Sequence, residues 1–365
     1  MSLPGNSKNM VREEVSRKLL SSPKLRLDYK YKQDKKNRLE WVDYAKGIGI
    51  FLVVIGHVIR GLVNSSIVEE SYLIEFVDEW LYAFHMPLFF FISGLFVVRS
   101  LSKPLHLFLL DKFCVIAYPY FVWSILQSLL QLFASDHTNQ SLSFSQLWQI
   151  GYIPIMQFWF LYTLFFILVT YSILYKLKVP PLILLLLSIA VYCLHAMDVS
   201  FGPWGILYLA RRHSLYFALG ALMGFNGVVL KIGKTSVRNL FLIAVGGYLV
   251  LTVLIYNQLF HNLVAIPFLA VCGIFASISL AVILANFKLF PYLQNWGKLS
   301  LEIFVAHTIA ASVIRIVLQK LIGFTEPVIH FLIGSIISIY APIILSILCK
   351  KNNIYYLFTL RSLKN

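Results

Sequence analysis

The first strongly apolar stretch of this chain carries a stripe of side chains that do chemistry. It reads Glu40-Trp-Val-Asp43-Tyr-Ala-Lys46-Gly-Ile-Gly-Ile-Phe-Leu-Val-Val-Ile-Gly-His57-Val-Ile-Arg60. At about 100° per residue, Asp43, Lys46, His57, Arg60 and Asn64 fall within an arc of roughly 100° on one helix face. The rest of that helix is Ile, Val, Leu and Gly. A lone polar stripe on such a helix points inward to a cavity, and glycines 47, 49 and 56 leave room for a neighbour or a ligand. Asp43 and Lys46 can also be read as headgroup anchors. His57 lies about 21 Å beyond Asp43 at 1.5 Å per residue, too deep for that reading. Histidine titrates near neutrality, so the chemistry it brings is proton transfer.

Further such residues follow. His85 sits in Phe84-His85-Met86-Pro87-Leu-Phe-Phe-Phe-Ile-Ser93-Gly94, at a depth comparable with His57, and is either part of a site or a hydrogen-bonded core histidine. Trp159 and Tyr162 begin a later apolar run, where they either border a site or form an interfacial aromatic belt. Arg211, Arg212 and His213 lie early in another run, and paired arginines there are hard to explain by snorkelling. Ser300, His307, Ala311 and Arg315 share a face, with Glu302 pointing elsewhere. Ionisable groups in apolar segments are expensive, so each is a site candidate.

The elements that must hold these residues are membrane helices. Of 365 residues, 59% are hydrophobic and 13% charged, with a mean hydropathy of +0.77, too little polar surface for a soluble domain. Apolar windows of roughly 20 residues match a bilayer core of about 30 Å. Ten are expected, near 42–63, 80–98, 113–134, 158–175, 180–198, 205–226, 239–256, 263–286, 299–320 and 328–349. The fold class is therefore an all-α polytopic bundle of about ten transmembrane helices, with kinks or close contacts at Pro87, Pro119, Gly220, Pro267 and Pro342. A basic segment, 1–40, precedes the membrane domain, 41–350, and a short tail, 351–365, follows it. No further catalytic domain is expected after the last span.

Charge orients the bundle. With a cytosolic N-terminus, 25 of the 31 Lys and Arg fall on the inner side, and the outer loops near 64–79, 135–157, 199–204 and 257–262 carry none. Both termini are then cytosolic. The formal charge of +15 is a topogenic bias toward anionic lipid headgroups and not a nucleic-acid surface. No cleavable signal peptide is expected. Cys114, Cys193, Cys272 and Cys349 stand singly, without metal spacing, as small apolar residues.

In order along residues 41–307, the chain resembles membrane-bound acyltransferase family 3, particularly its sugar O-acetylases. The resemblance rests on Trp41 to His57, Phe84 to Gly94, Lys112 to Phe121, Phe158 to Tyr162 and Leu299 to His307. Where the family often has two basic residues three apart before the third-span proline, this chain has Lys112 and Val115. The resemblance implies transfer of an acetyl group from acetyl-CoA, a co-substrate and not a resident cofactor, to a hydroxyl of a surface polysaccharide or lipid-linked sugar. It implies a bacterial cytoplasmic membrane as the location. A sugar hydroxyl needs a base, and His57 is the candidate, with an acetylated His57 as a variant. Arg60, Arg211 and Arg212 are candidates for stabilising the oxyanion. Asp43, Lys46, Lys112 and His307 are placed on the donor side, and His85, Ser93, Trp159 and Tyr162 on the acceptor side. A transporter or flippase for a lipid-linked sugar is the other reading, but it favours inverted repeats and broken helices, which the sequence does not show.

Overall fold

The computed structural model describes residues 39–133, 148–199, 202 and 204–360. The segment 1–40 lies, apart from its last two residues, outside the described residues, as do 134–147 and the end of the tail. Among the described residues every regular element is helical. Lipid offers no partner for a backbone amide, so each segment must close its own hydrogen bonds.

Each of the ten windows holds a helix. These are α1 (Glu40–Asn64), α2 (Tyr72–Leu101), α3 (Leu105–Lys112 continued by Tyr118–Phe133), α4 (Trp159–Lys176), α5 (Pro181–Ala196), α6 (Gly205–Phe225), α7 (Val237–Tyr256), α8 (Ile266–Phe287), α9 (Ser300–Ile316) and α10 (Pro327–Lys351). Eight of them are long and apolar enough to cross a bilayer. The exceptions are α5, whose 16 residues span only about 24 Å, and α6, whose apolar run is broken by Arg211-Arg212-His213.

The boundaries depart from the expected windows in one way that matters for the site. Helix α2 begins at Tyr72, not near 80, because Ser71 caps it by accepting from the Ile74 amide and Glu75 supplies charge in the first turn. That extension puts Asp78 and Glu79 on the helix. The prolines also act differently from one another. Pro267 opens α8, where its missing N–H costs nothing, and Pro87 and Pro342 sit within continuous helices. Ahead of Pro119 the backbone widens into a π turn, Phe113–Ala117. There the Tyr118 amide donates to Phe113 instead of Cys114. The Cys114 carbonyl, left without its helical donor, accepts from Thr359 Oγ1 at 3.2 Å and the Leu360 amide at 3.3 Å. Trp123 Nε1 donates to the Leu357 carbonyl at 2.8 Å, so residues 357–360 of the tail lie along α3.

Helices α2 and α8 form the interior, with 72% and 61% of their apolar windows buried, against 22% for α7. The most extensive packing is between α2 and α6. A Cβ on Gly94 would come 2.0 Å from the Phe217 carbonyl oxygen, and one on Gly220 would come 2.1 Å from that of Phe91. The two backbones touch, and no side chain fits between them.

Candidate active site

The polar stripe of α1 opens onto a cavity of about 650 Å³. Its walls come from the C-terminal parts of α1, α3 and α9, and from the N-terminal parts of α2 and α10 with the turn into α4. Odd and even helices thus approach it from opposite directions, and it sits at one end of the bundle. The volume matches that of small-molecule sites, and its mixed apolar and polar lining is of the same kind.

His57 is half-buried on the cavity wall, and two aromatic rings pack against it. The Tyr82 ring lies 6.3 Å away edge-on, with His85 a further 4.6 Å beyond Tyr82. The His307 ring is 5.1 Å from His57. Gly56 makes this possible, since a Cβ there would meet Tyr82 Cε2 at 3.1 Å. His307 itself is fully buried, and its Nδ1–H donates to the carbonyls of Phe304 at 2.7 Å and Ile303 at 3.1 Å. That fixes the tautomer, so Nε2 carries the lone pair, and this buried atom has no hydrogen-bond partner. His85 donates from Nδ1 to the Leu81 carbonyl at 2.5 Å, in the manner of a core histidine, while also bordering the cavity.

Arg60 is held by two partners that sequence reasoning missed. Its Nε and Nη2 donate to the two carboxylate oxygens of Asp78 at 2.6 and 2.7 Å, a bidentate pairing that fixes the plane of the guanidinium. The same guanidinium lies 3.3 Å over the Tyr82 ring. The Tyr82 hydroxyl is buried and without a partner. Asp78 was hidden by reading 64–79 as a loop; an i, i+4 pattern from Ser71 onward is the signal that extends the helix to it.

Another part of the wall is built of neutral polar side chains. Gln157 Nε2 donates to Gln127 Oε1 at 2.8 Å and to Thr308 Oγ1 at 2.7 Å, and Thr308 donates to Gln127 Oε1 at 3.2 Å. Gln127 and Gln131 each place Nε2 at 2.9 Å from the Met156 sulfur. Met156 takes a positive φ of 42°, a strained conformation for a side-chain-bearing residue. Sequence reading missed these glutamines because an uncharged amide near a helix end carries no signal above the background.

The remaining candidates lie elsewhere. Trp159 lines the cavity, and its ring, that of His213 and that of Phe90 form a triangle: His213 is 5.0 Å from Trp159 and 4.9 Å from Phe90, and those two are 6.4 Å apart. Tyr162 donates to the Gly151 carbonyl at 3.1 Å and does not line the cavity; nor does half-buried Ser93. Arg211 donates to the Val199 carbonyl, and neither it nor Arg212 borders the cavity. Arg315, four residues on from Ala311, does border it. Asp43 is buried near the start of α1, where its carbonyl faces Gly297. Lys46, one turn later, is half-buried, and neither reaches the cavity. Lys112 is 3.8 Å from Asp111 and 5.5 Å from the Phe108 ring centroid, just before the π turn of α3.

No curated protein and no solved structure matches the chain. A sequence-family model described as an acyltransferase domain matches residues 39–347. That match covers nearly the whole helical bundle, including every wall of the cavity. The chain belongs to membrane acyltransferase family 3.

Proposed function

We propose that the protein transfers an acetyl group from acetyl-CoA to a hydroxyl of a surface glycan or lipid-linked sugar, with His57 as general base. The observation that carries this reading is the setting of His57: the half-buried imidazole on the cavity wall, backed at 5.1 Å by the fully buried His307. His57 takes the proton of the acceptor hydroxyl as its oxygen attacks the thioester carbon. When the C–S bond breaks, the same proton passes to the departing CoA sulfur. The positive charge that forms on His57 in between is favoured by the Nε2 lone pair of His307. His307 is thus a positioning residue; its complete burial does not suit a CoA phosphate.

The oxyanion requires a donor. The Tyr82 hydroxyl, buried without a partner beneath the Arg60 guanidinium, fits that part, with Arg60 supplying positive charge. Arg211 and Arg212 are set aside for it because they do not border the cavity. Lys46 and Lys112 remain the cations for CoA phosphates on the cytosolic side. The bias of basic residues supports an outward-facing cavity end, with donor and acceptor coming from opposite faces of a bacterial cytoplasmic membrane. The test is acetyl transfer by the purified full chain in lipid nanodiscs, given acetyl-CoA labelled in the acetyl group and a glycan extract of the host. Label in the glycan is the expected result. Label found only as free acetate contradicts the proposal.

A further inference from the structure

A cluster of uncharged polar side chains lines part of the cavity wall, and its polar atoms are only partly used. Gln127 and Gln131 come from α3, Gln157 from the turn before α4, and Thr308 from α9, so three separate elements bring amides and a hydroxyl to one place. The cluster and the base line one cavity, and Thr308 directly follows His307, whose ring is 5.1 Å from that of His57. Its internal bonds leave two weaknesses. Both Gln127 and Gln131 direct an N–H at the Met156 sulfur, a weak acceptor that an incoming oxygen would outcompete. Gln131 Oε1 is buried and unpartnered. Whichever way that amide is turned, one of its two ends has no good partner. A buried polar atom left so is costly, and a ligand that bonds to it returns that cost.

A primary amide offers both donor and acceptor, as does a hydroxyl group, so neighbouring amides match the vicinal hydroxyls of a sugar ring. An anionic group would instead face carbonyl oxygens here. No Asp or Glu borders the cavity; of its two arginines, Arg60 is already matched by Asp78, and Arg315 lies seven residues, about 10 Å, along α9 from Thr308.

We propose that Gln127, Gln131, Gln157 and Thr308 form the subsite that binds the hydroxyls of an uncharged sugar unit and sets which hydroxyl meets His57. The inference rests on the acyl-transfer reading above. A site built to hydrogen-bond hydroxyls rejects a ligand that leaves its polar groups unpaired, so these side chains determine acceptor specificity.

The experiment is saturation-transfer NMR on the full chain in nanodiscs, with neutral methyl hexosides and the matching methyl hexuronosides as probes. The wild type should bind the neutral glycosides and bind the uronosides at least several-fold more weakly. Gln131→Met and Thr308→Val, near-isosteric and unable to mimic the amide or the hydroxyl, should each weaken neutral-glycoside binding by about tenfold, the equivalent of one lost hydrogen bond. The milder Gln131→Asn, which keeps an amide, should lose less than Gln131→Met. Equal or tighter uronoside binding, undiminished binding in both Gln131 variants, or no neutral glycoside bound by the wild type would each overturn the proposal. Heat protection of the same samples by acetyl-CoA reports the donor separately. Its absence alongside intact glycoside binding would fault the transfer reading and leave the subsite standing.

Discussion

Two histidines of this bundle lie near arginines within apolar helices, and they are used in opposite ways. His57, three residues before Arg60, is half-buried on a cavity wall with the His307 ring behind it. His213, next to Arg212, is packed in a cluster with Phe90 and Trp159 at 4.9 and 5.0 Å, and of these three only Trp159 reaches the cavity. The arginines differ likewise. Arg60 is fixed by Asp78 and lies over Tyr82, whereas Arg211 is spent on the Val199 carbonyl. The costs of placing such groups in a membrane helix are similar, so cost alone marks both regions. What separates them is access: one imidazole edge can meet a substrate and the other meets aromatic faces.

The comparison is sharpened first at His307. His307→Asn keeps a donor for the Phe304 carbonyl but removes the ring 5.1 Å from His57 together with its unpartnered Nε2. Turnover should fall by about 10- to 100-fold, as when the partner orienting an active group is lost, with the acetyl-CoA dependence nearly unchanged. A large rise in the acetyl-CoA concentration needed, at undiminished maximal rate, would return His307 to the donor side. A steady-state assay varying acetyl-CoA reads both quantities.

A smaller effect is expected at Lys46, far from the cavity. Lys46→Ala should raise the acetyl-CoA concentration for half-maximal rate by about tenfold and leave the maximal rate largely intact, and Lys46→Arg should restore most of it. An unchanged concentration dependence in Lys46→Ala would place the donor's phosphates elsewhere.

The smallest effect belongs to the other histidine. His213→Phe keeps an aromatic ring packed against Phe90 and Trp159, so acetyl transfer should stay within about twofold of wild type, with any change confined to thermal stability. A loss of turnover rivalling that of His307→Asn, in a protein that melts normally, would erase the contrast between the two regions.

Much of this arrangement could be read from residue order. The ten windows and the stripe of α1 stand out because lipid enforces long apolar runs and a 3.6-residue period reveals their faces. The α9 face was legible too, since Ala311 and Arg315 border the cavity and His307 lies behind it. Periodicity shows that a helix has a polar face, not where that face points. Hence Arg211 and Arg212 looked equivalent to Arg60, and Lys46 shared a stripe with His57 without sharing its cavity. The glutamines were invisible for another reason: Gln127 and Gln157 meet through contacts 30 residues apart in sequence, and a neutral amide has no solvation penalty large enough to make it conspicuous. Asp78 was lost with the eight residues by which α2 extends beyond its apolar core.

Whether the cavity-facing imidazole of His57 removes the acceptor's proton is decided by His57→Gln. Glutamine keeps hydrogen-bonding capacity and approximate size but cannot take up a proton near neutral pH. Purified in nanodiscs at wild-type yield and still protected against heat by CoA, the variant should transfer acetyl more slowly by a factor on the order of 10² to 10⁴. Transfer at a near wild-type rate in that folded, CoA-binding variant would show that His57 is not the base.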